Sequence, residues 1–457
     1  QNRQYLHAID AYSGTGILNL NQSRAMNVPN KLPVSVADWL SYFEVSHPQT
    51  IELGLDRVNL IRSELALYPQ FPIIIVGGTN GKGSVCAMLE SILHCAGYEV
   101  GCYTSPHLLH YNERIRIGKK NIDDQRLCNA FMQIYSACKI RNISLTYFEA
   151  GTLAAMYCFV QADVDAAVLE VGLGGRLDAV NIFDADCSIL TSIDFDHVDY
   201  LGDTREKIGF EKAAIFRKNK PAICAEIDLP QSVIQQAEQN DAVLYRINEQ
   251  FGFLKQDAHW NFWGPKNKRH SLPFPALRGE KQLQNASTCL AALDTLQDIL
   301  PVSMSNVRQG LIEAVIAGRF QVVSTQPFII LDVAHNPSAA MVLSQNLRAT
   351  RPNGRTFAIM AMLQDKDIRG VIQALKNDID CWFVSSVNSS RAAAADYLIN
   401  ELDNAGVAGD SIRKFPDTIS AFVLACEQAG KNDRICVFGS FYTVGDVLRY
   451  LNTHQSK

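Results

Sequence analysis

The stretch FPIIIVGGTNGKGSVCAMLE, residues 71–90, decides the fold of this chain. Its apolar opening, Phe71 to Val76, predicts a buried parallel strand that runs into a glycine-rich turn. Lys82 and Ser84 follow, and helix-period apolar residues then continue to Cys95. Strand, glycine turn, lysine, hydroxyl and helix are the layout of a phosphate cradle. In such a cradle, backbone N–H groups face the phosphates and the hydroxyl reaches Mg²⁺.

The spacing of this stretch differs from that of the common P-loop. That motif has a glycine five residues before the Gly-Lys pair, and Ser or Thr directly after Lys. Here Val76 holds the first position, and Gly83 separates Lys82 from Ser84. A tight strand-to-helix turn with an exposed lysine is the alternative. The coincidence of glycines, lysine and hydroxyl at such a junction favours nucleotide binding.

The composition indicates a soluble globular protein. A length of 457 residues favours two domains, and 47% apolar with 19% charged residues is ordinary for such a chain. A net charge of −5 argues against a nucleic-acid partner. The 12 cysteines include no CxxC pair, which favours reduced core cysteines in a cytoplasmic protein. Neither a membrane span nor a signal peptide is evident, and we expect a monomer without membrane partners.

Polar side chains stand at the ends of three further predicted strands. One strand ends at Ser105, a second ends at Glu170, and a third is followed by His197. In an open parallel sheet, ligands bind beyond the carboxyl ends of the strands. We therefore expect these three side chains to face the phosphate cradle, where a hydroxyl, a carboxylate and an imidazole suit Mg²⁺.

Each of these residues also has an ordinary explanation. A single histidine after a strand, such as His197, is commonly structural. A glutamate that ends an apolar strand is harder to dismiss, because burying its charge without a partner is costly. Arg114 and Arg116 lie in a polar stretch, His110–Arg116, for which a solvated loop is the alternative.

The chain divides into a polar tail at residues 1–32, a larger domain at 33–319 and a smaller domain at 320–457. The larger domain begins with two helices within 34–67 and has a mixed β extension at 220–275. After Arg319, strands alternate with helices, which predicts a second parallel sheet. Asp332 and His335 follow its first strand. We expect an α/β fold, a P-loop-containing ATPase domain followed by a Rossmann-like domain, with the substrate in the cleft between them.

Several motifs occur in an order, across residues 36–450, that is similar to one enzyme family. They are GTNGKGS at 78–84, YTSPH at 103–107, NERI at 112–115, TYFE at 146–149, LEVGLGGRLDAVN at 169–181, DHVDYLG at 196–202, EKAAIF at 211–216, QLQNA at 282–286, GRFQ at 318–321, LDVAHNP at 331–337 and GSFYTVG at 439–445. The chain resembles the folylpolyglutamate synthases, and more narrowly the bifunctional dihydrofolate synthase/folylpolyglutamate synthases, among the Mur-ligase-like amide ligases. GTNGKGS alone fits many Mur-type ligases, whereas LEVGLGGRLDAVN together with LDVAHNP is close to diagnostic.

The resemblance implies roles for the matched positions. It implies ATP contacts from Thr79, Asn80, Gly81, Lys82, Gly83, Ser84, Asn285, Arg319, Asp332 and His335. It implies Mg²⁺ binding by Ser105, Glu170 and His197, and catalytic roles for Lys82, Lys212 and His197. Lys212, which composition alone assigns to a helix surface, matches a lysine that the family carbamylates.

The resemblance also implies a site for dihydropteroate. The matched positions are Glu52, Leu53, Gly54, Leu55, Thr146, Tyr147, Phe148, Glu149, Leu177, Asp178 and Ala179. Phe148 would stack on the pterin face, and Asp178 would accept its N–H donors. Val180, Phe210 and Val333 depart from the common family residues, which affects folate selectivity more than the chemistry.

The implied reaction is ATP-dependent addition of L-glutamate to dihydropteroate and to reduced folates, through an acyl phosphate. ATP and Mg²⁺ are the implied co-substrate and cofactor. The alternatives are a folylpolyglutamate synthase only, or another Mur-type ligase that extends a peptidoglycan precursor. A nucleotide-driven switch or motor is the alternative from another class, and it has no need of a second domain that presents Asp332 and His335 to the cradle.

Overall fold

The computed structural model describes residues 32–49, 51–350 and 352–454. Within these residues, two parallel-rich sheets and one small antiparallel sheet account for the strands. The predicted polar tail lies outside the described residues, except for Leu32. None of the described helices is long and apolar enough to cross a membrane.

The elements before Arg319 build the first sheet and its helices. The helices are α1 (Val36–Ser46), α2 (Asp56–Glu64), α3 (Lys82–Cys95), α4 (Asp124–Arg141), α5 (Tyr147–Ala162), α6 (Val198–Leu201), α7 (Arg205–Ala213), α8 (Gln231–Gln239), α9 (Gln282–Thr295) and α10 (Met304–Glu313). The strands are β1 (Ile73–Gly77), β2 (Val100–Tyr103), β3 (Ile115–Ile117), β4 (Lys120–Asn121), β5 (Ala166–Glu170), β6 (Cys187–Leu190), β7 (Pro221–Cys224), β8 (Val243–Arg246), β9 (Gly252–Lys255), β10 (Trp260–Trp263) and β11 (Lys268–Leu272).

The glycine-rich stretch stands at the centre of the first sheet. The strand order is β4-β3-β2-β5-β1-β6-β7-β8. The six strands β2, β5, β1, β6, β7 and β8 run parallel, and the β3–β4 hairpin forms an antiparallel edge beside β2. Side chains of β1 alternate between two cores, one with α3 and α9 and the other with α4 and α5. The register places Val76 beside Glu170 and Ile189, so the carboxyl ends of β5, β1 and β6 are level.

One prediction for this half of the chain is wrong, and one alternative that the sequence left open is excluded. The stretch 220–275 is not one β extension, because β7, α8 and β8 complete the main sheet and only β9, β10 and β11 form the small antiparallel one. The stretch His110–Arg116 is not a solvated loop but a 3₁₀ turn followed by β3. Arg116 is held by Glu90 through Nε and Nη2 at 2.9–3.0 Å, a structural ion pair.

The elements after Arg319 build the second large sheet. The strands are β12 (Gln321–Thr325), β13 (Phe328–Leu331), β14 (Thr356–Met360), β15 (Cys381–Val384), β16 (Ile412–Lys414) and β17 (Arg434–Phe438). The helices are α11 (Pro337–Ala349), α12 (Ile368–Leu375), α13 (Ala395–Asn404), α14 (Thr418–Gln428) and α15 (Phe441–His454). The order is β12-β13-β17-β14-β15-β16, with only β12 antiparallel. The alternation was predicted, but β12, β16 and α15 were missed.

We propose that the two domains meet between Arg319 and Phe320, as the sequence predicts. Every strand up to β11 belongs to the first sheet or the small one, and every strand from β12 onward belongs to the second sheet. We call residues 33–319 the first domain and residues 320–457 the second domain.

Candidate active site

The phosphate loop is shaped by glycines and anchored by the segment after β6. A Cβ on Gly78, whose φ is +140°, would collide with the Thr191 hydroxyl, and Gly81 begins α3 with a φ of +90°. The Thr79 N–H donates to the Ser192 carbonyl at 2.8 Å, and the Asn80 N–H donates to the Ser192 hydroxyl at 2.9 Å. The loop is therefore fixed, with the N-terminus of α3 opening onto the cleft.

Lys82 and Ser84 lie in the first turn of α3. The Lys82 ammonium donates to the carbonyls of Gly78 and Thr79 at 3.0 and 3.2 Å, within its own loop. Ser84 is buried, and its hydroxyl lies 3.5 Å from Nε2 of Gln282. Among the described residues Lys82 donates only to carbonyls, so a phosphate is a stronger partner for its charge.

Glu170 lies directly beside this loop at the end of β5. The Ser105 N–H donates to Oε2 of Glu170 at 3.1 Å, and Oε1 lies 3.9 Å from the position of a Cβ on Gly83. Burial raises the pKa of Glu170, while the charges of Lys82 and Arg319 and the Ser105 hydrogen bond oppose that rise. A buried carboxylate with one hydrogen bond from the described residues is a suitable ligand for a cation bound with the phosphates.

His197 lies on the other side of the loop. It begins α6 with a φ of +51°, and its Nε2 lies 3.4 Å from Nζ of Lys366. Burial, with the charge of Lys366, lowers the pKa of His197 to about 4, so the imidazole is neutral and able to ligate. No three His, Cys, Asp or Glu side chains of the described residues are arranged as a metal site by themselves. A Mg²⁺ ion held by the predicted set of Ser105, Glu170 and His197 would therefore need phosphate and water ligands as well, and this set stays a prediction.

Lys212 is a buried lysine on α7 rather than a surface one. Only 4% of the residue is exposed, and its ammonium has no hydrogen bond or ion pair with the described residues. Burial, with the charge of Lys82, lowers the pKa of Lys212 to about 7. A large fraction of the amine is therefore neutral near pH 7, which is the form that attacks CO₂.

Arg319, the last residue of the first domain, lines the cleft together with Asp332 and His335 of the second domain. Phe320 has a left-handed φ of +43°, and its N–H donates to Oδ2 of Asp332 at 2.8 Å. This bond fixes the link between the domains, and the Arg319 guanidinium lies 5.3 Å from the ring centroid of Phe441. Burial raises the pKa of Asp332, against the opposing charge of Arg319.

Asp196 joins the two domains across the cleft. Its Oδ1 accepts a hydrogen bond from Lys366 Nζ at 2.8 Å, and its Oδ2 lies 3.7 Å from His335 Nε2. Burial alone would raise the pKa of Asp196, but His335 and the charges of His197 and Lys366 hold it well below its usual range. Lys366 lies in none of the motifs of the sequence analysis, and Asp196, the first residue of the DHVDYLG motif at 196–202, received no role there.

A cleft of about 780 Å³ lies between the domains, and the residues predicted to bind ATP and the metal line it. Every predicted ATP, metal and catalytic residue lines it: Thr79, Asn80, Gly81, Lys82, Gly83, Ser84, Ser105, Glu170, His197, Lys212, Asn285, Arg319, Asp332 and His335. Segments up to about 260 residues apart in the chain thus meet at one site, as the strand-end argument requires.

The predicted dihydropteroate residues do not line this cleft but lie behind its wall. They are Glu52, Leu53, Gly54, Leu55, Thr146, Tyr147, Phe148, Glu149, Leu177, Asp178 and Ala179. Phe148 packs against Gly172, which does line the cleft, with its ring centroid 5.9 Å from that of Tyr103. Asp178 accepts the N–H groups of Leu173 and Val180 at 2.8 and 3.0 Å.

Charged residues of this region pair with one another. Glu149 accepts the Thr146 N–H at 2.8 Å and an Arg57 N–H at 3.0 Å, and Arg57 also pairs with Glu52. Nε2 of His47 lies 2.6 Å from Glu52. Thr146 is the N-cap of α5, and Tyr147 is the first residue of that helix. The sequence carried no signal for Arg57 or His47.

Comparison with models of protein families shows the class of protein to which this chain belongs. The profile of the Mur ligase middle domain matches residues 76–293, and that of the Mur ligase glutamate ligase domain matches residues 318–441. Together with the nucleotide cleft, these matches define an ATP-dependent ligase of the Mur ligase class.

Individual relatives narrow this class. The chain is 42% identical to the dihydrofolate synthase/folylpolyglutamate synthase of Escherichia coli K12, covering 92% of this chain and 96% of that one. It is 40% identical to the protein of the same name from Haemophilus influenzae, covering 92% and 98%. The structure of E. coli FolC in complex with DHPP and ADP superposes with a TM-score of 0.88 at 42% identity, covering 92% and 99%. The Yersinia pestis enzyme with AMPPNP and Mn gives 0.86 at 43%, covering 92% and 100%. This chain belongs to the dihydrofolate synthase/folylpolyglutamate synthase family.

Proposed function

We propose that this protein adds L-glutamate to dihydropteroate, forming dihydrofolate, and to reduced folates, forming folylpolyglutamates, with release of ADP and phosphate. The observation that carries the proposal is the shared cleft, where the phosphate loop, Glu170 and Lys212 lie opposite Arg319 and Asp332. The relatives support the substrate class: E. coli FolC was solved with DHPP and ADP, and a bifunctional synthase with Mn, AMPPNP and L-glutamate.

The nucleotide is bound by both domains in this proposal. Thr79 to Ser84 hold the triphosphate at the N-terminus of α3, and Lys82 turns from its own carbonyls to the phosphates. Asn285, whose Oδ1 lies near Gly81, closes one side of the loop. Arg319 lies at the boundary between the domains, and Asp332 and His335 approach from the second domain, so ATP would contact both domains.

Ser105, Glu170 and His197 would hold Mg²⁺ beside the phosphates. The ion supplies neutralisation of the phosphate charge that a carboxylate nucleophile must approach. The buried position of Glu170 keeps this cation close to the loop, and the neutral imidazole of His197 offers a lone pair.

The chemistry proceeds by an acyl phosphate. A carboxylate oxygen of the substrate attacks the γ-phosphorus, and the bond to the β,γ-bridging oxygen breaks, releasing ADP. The amine of L-glutamate then attacks the acyl carbon, loses a proton, and expels inorganic phosphate to leave an amide. Lys82 offsets charge in the first step, and closure of the second domain keeps water from the acyl phosphate.

Lys212 is proposed to act as a carbamate. Its neutral amine attacks CO₂ and loses a proton, which converts a buried cation into a carboxylate. The carbamate is then an anion in a cleft lined by Lys82 and His197, where it can ligate or orient the cation bound to ATP.

The pteroate side is proposed to lie along the segments 52–55, 146–149 and 177–179. Phe148 touches the wall of the nucleotide cleft at Gly172, so a pterin ring stacked on Phe148 would lie next to that wall. We further propose a monomeric cytoplasmic enzyme, in keeping with reduced cysteines, since the 12 cysteines of the chain are free.

One comparison of acceptors tests the proposed function. The protein is incubated with ATP, Mg²⁺ and L-glutamate, and either dihydropteroate or tetrahydrofolate is added. We expect ADP and a glutamylated product with both acceptors. Product with tetrahydrofolate alone would indicate a folylpolyglutamate synthase only. Absence of both glutamylated products would contradict the proposal. ADP formed with a peptidoglycan precursor would then favour another Mur-type ligase, and ADP formed without any acceptor would favour a nucleotide-driven switch.

A further inference from the structure

Asn336 occupies a buried position where the two domains touch. It is the N-cap of α11, and its Oδ1 accepts the Ala339 N–H at 2.8 Å. Only 2% of the residue is exposed, although it lies between domains. Most N-caps serve their own helix alone, but this side chain also has partners in the first domain.

The first partner of Asn336 is a residue of the phosphate loop. Nδ2 of Asn336 donates to Oδ1 of Asn80 at 3.2 Å, and Nδ2 of Asn80 donates back to Oδ1 of Asn336 at 3.3 Å. The two amides therefore form a reciprocal pair. Asn80 is fixed in the loop through its backbone, since its N–H donates to Ser192 and its carbonyl accepts the Thr191 hydroxyl.

The second partner is Asp196, which follows β6. Nδ2 of Asn336 lies 3.2 Å from Oδ2 of Asp196, whose other oxygen accepts from Lys366. Asn336 thus joins the start of α11 to two separate segments of the first domain. One of these segments contacts the phosphates in the proposed function, and the other adjoins His197.

We propose that Asn336 is a positioning residue, which couples the phosphate loop to the second domain so that the cleft stays closed around the acyl phosphate. Asn336 is not among the residues that line the cleft, so a role through Asn80 and Asp196 is the one that its contacts support. A shift of the phosphate loop moves Asn80, and the amide pair carries that shift to α11. The proposal rests on the proposed function, because it concerns the fate of that intermediate.

Loss of this coupling has a defined chemical result. When the cleft opens early, water attacks the acyl phosphate in place of the glutamate amine. The carboxylic acid and phosphate are then recovered and no amide forms, although ADP has already been released. The measurable quantity is the ratio of ADP to amide, which a loss of stability alone does not change.

The test uses two variants of the full chain. Asn336→Asp keeps the acceptor that caps α11 but removes both amide donors and sets a carboxylate against Asp196. Asn336→Ser also retains a cap while its short side chain does not reach Asn80, and it serves if the first variant does not fold. Asp417→Ala is the matched control, because it removes the N-cap of α14 in the same domain, outside the cleft.

We expect one ADP per amide in the wild type and in Asp417→Ala with dihydropteroate, ATP and glutamate. We expect an excess of ADP over amide of about fivefold in the Asn336 variants, the size of one lost net hydrogen bond. An ADP-to-amide ratio that stays at one in the folded Asn336 variants, whatever their turnover rate, would overturn the coupling. An equal excess of ADP in Asp417→Ala would overturn it as well. A wild type that makes no amide would instead contradict the proposed function.

Discussion

The nucleotide cleft and the predicted pteroate region differ in how far the protein itself supplies hydrogen-bond partners for their polar side chains. In the cleft, Lys82 is satisfied only by carbonyls of its own loop, and Lys212 has no partner among the described residues. Behind the wall, Asp178 and Glu149 already have their hydrogen bonds from the protein. We call the groups of the cleft poised, because they can exchange weak partners for a ligand. We call the pteroate region the finished scaffold, because its polar side chains already bind one another and the backbone.

The comparison predicts that removing a poised group costs activity and little stability. We expect Lys82→Ala and Glu170→Ala to lower the rate of ADP formation by about 10³-fold, because each removes charge stabilisation at the phosphates. Both variants should unfold at close to the wild-type temperature in a thermal melt. Lys220→Ala, which loses an exposed ion pair with Asp186, is the control. Near-normal turnover in either cleft variant would refute the role given to it.

A second prediction concerns Lys212. We expect Lys212→Met to lower turnover by about 10²-fold, because a carbamate cannot form on it. With a pKa of about 7, the neutral fraction of the amine grows as the pH rises. Activation of bicarbonate-depleted wild type by added bicarbonate should therefore increase from about pH 6 to about pH 8.

The control for this prediction is Lys207→Ala, which changes an exposed lysine on the same helix. A ¹³C-bicarbonate NMR spectrum should show a carbamate signal in the wild type and in this control, and none in Lys212→Met. Full activity without bicarbonate, in protein that shows no carbamate signal, would eliminate the modification.

A third prediction addresses the finished scaffold through Asp178. Burial raises its pKa to about 6, against hydrogen bonds from Leu173, Val180 and Gly172. The folded pKa lies above the model-compound value of 3.8, so the folded chain binds more protons than the unfolded chain between these values. The stability due to this group is therefore present at lower pH and is lost as the pH rises through about 6.

Urea unfolding of the wild type and Asp178→Asn as a function of pH measures this effect. The free energy of unfolding of the wild type, relative to the variant, should fall by about 2 kcal/mol between about pH 4 and pH 6. Taking the difference between the wild type and the variant cancels the contribution of the other carboxylates to the pH dependence. A difference that is constant with pH would show that Asp178 is not buried as described.

The smallest expected effect is at Thr146, whose hydroxyl accepts the Glu149 N–H as the N-cap of α5. We expect Thr146→Ala to lose about 1 kcal/mol of stability, as should Ser303→Ala at the equivalent cap of α10. The KM for ATP should stay unchanged in both variants. The KM for dihydropteroate should rise in Thr146→Ala alone, since the start of α5 loosens; an unchanged value would remove this segment from the pteroate site.

The same contrast explains what the sequence could predict. The glycine spacing at 78–83 and the polar residues at strand ends are local patterns, and they predict from the sequence alone that Ser105, Glu170 and His197 face the phosphate loop; the structure places all three in the lining of one cleft with that loop. Lys212 became a candidate only through the family resemblance, because burial of a helix lysine depends on how α7 packs. Partnerships such as Asp196 with Lys366, or Arg57 with Glu149, join distant segments and leave no pattern in either one. The prediction for the 220–275 stretch is wrong because β7 and β8 are short strands, and their place at one end of the first sheet depends on pairing of β7 with β6.

The central claim is that distant strand ends form one site for the triphosphate and its cation. A crystal structure with Mn²⁺ and AMPPNP, with anomalous scattering to locate the metal, tests it most directly. The account predicts Mn²⁺ at about 2 Å from oxygens of Ser105 and Glu170, with the γ-phosphate beside Lys82. A metal bound elsewhere, or phosphates that do not contact the loop at 79–84, would contradict it.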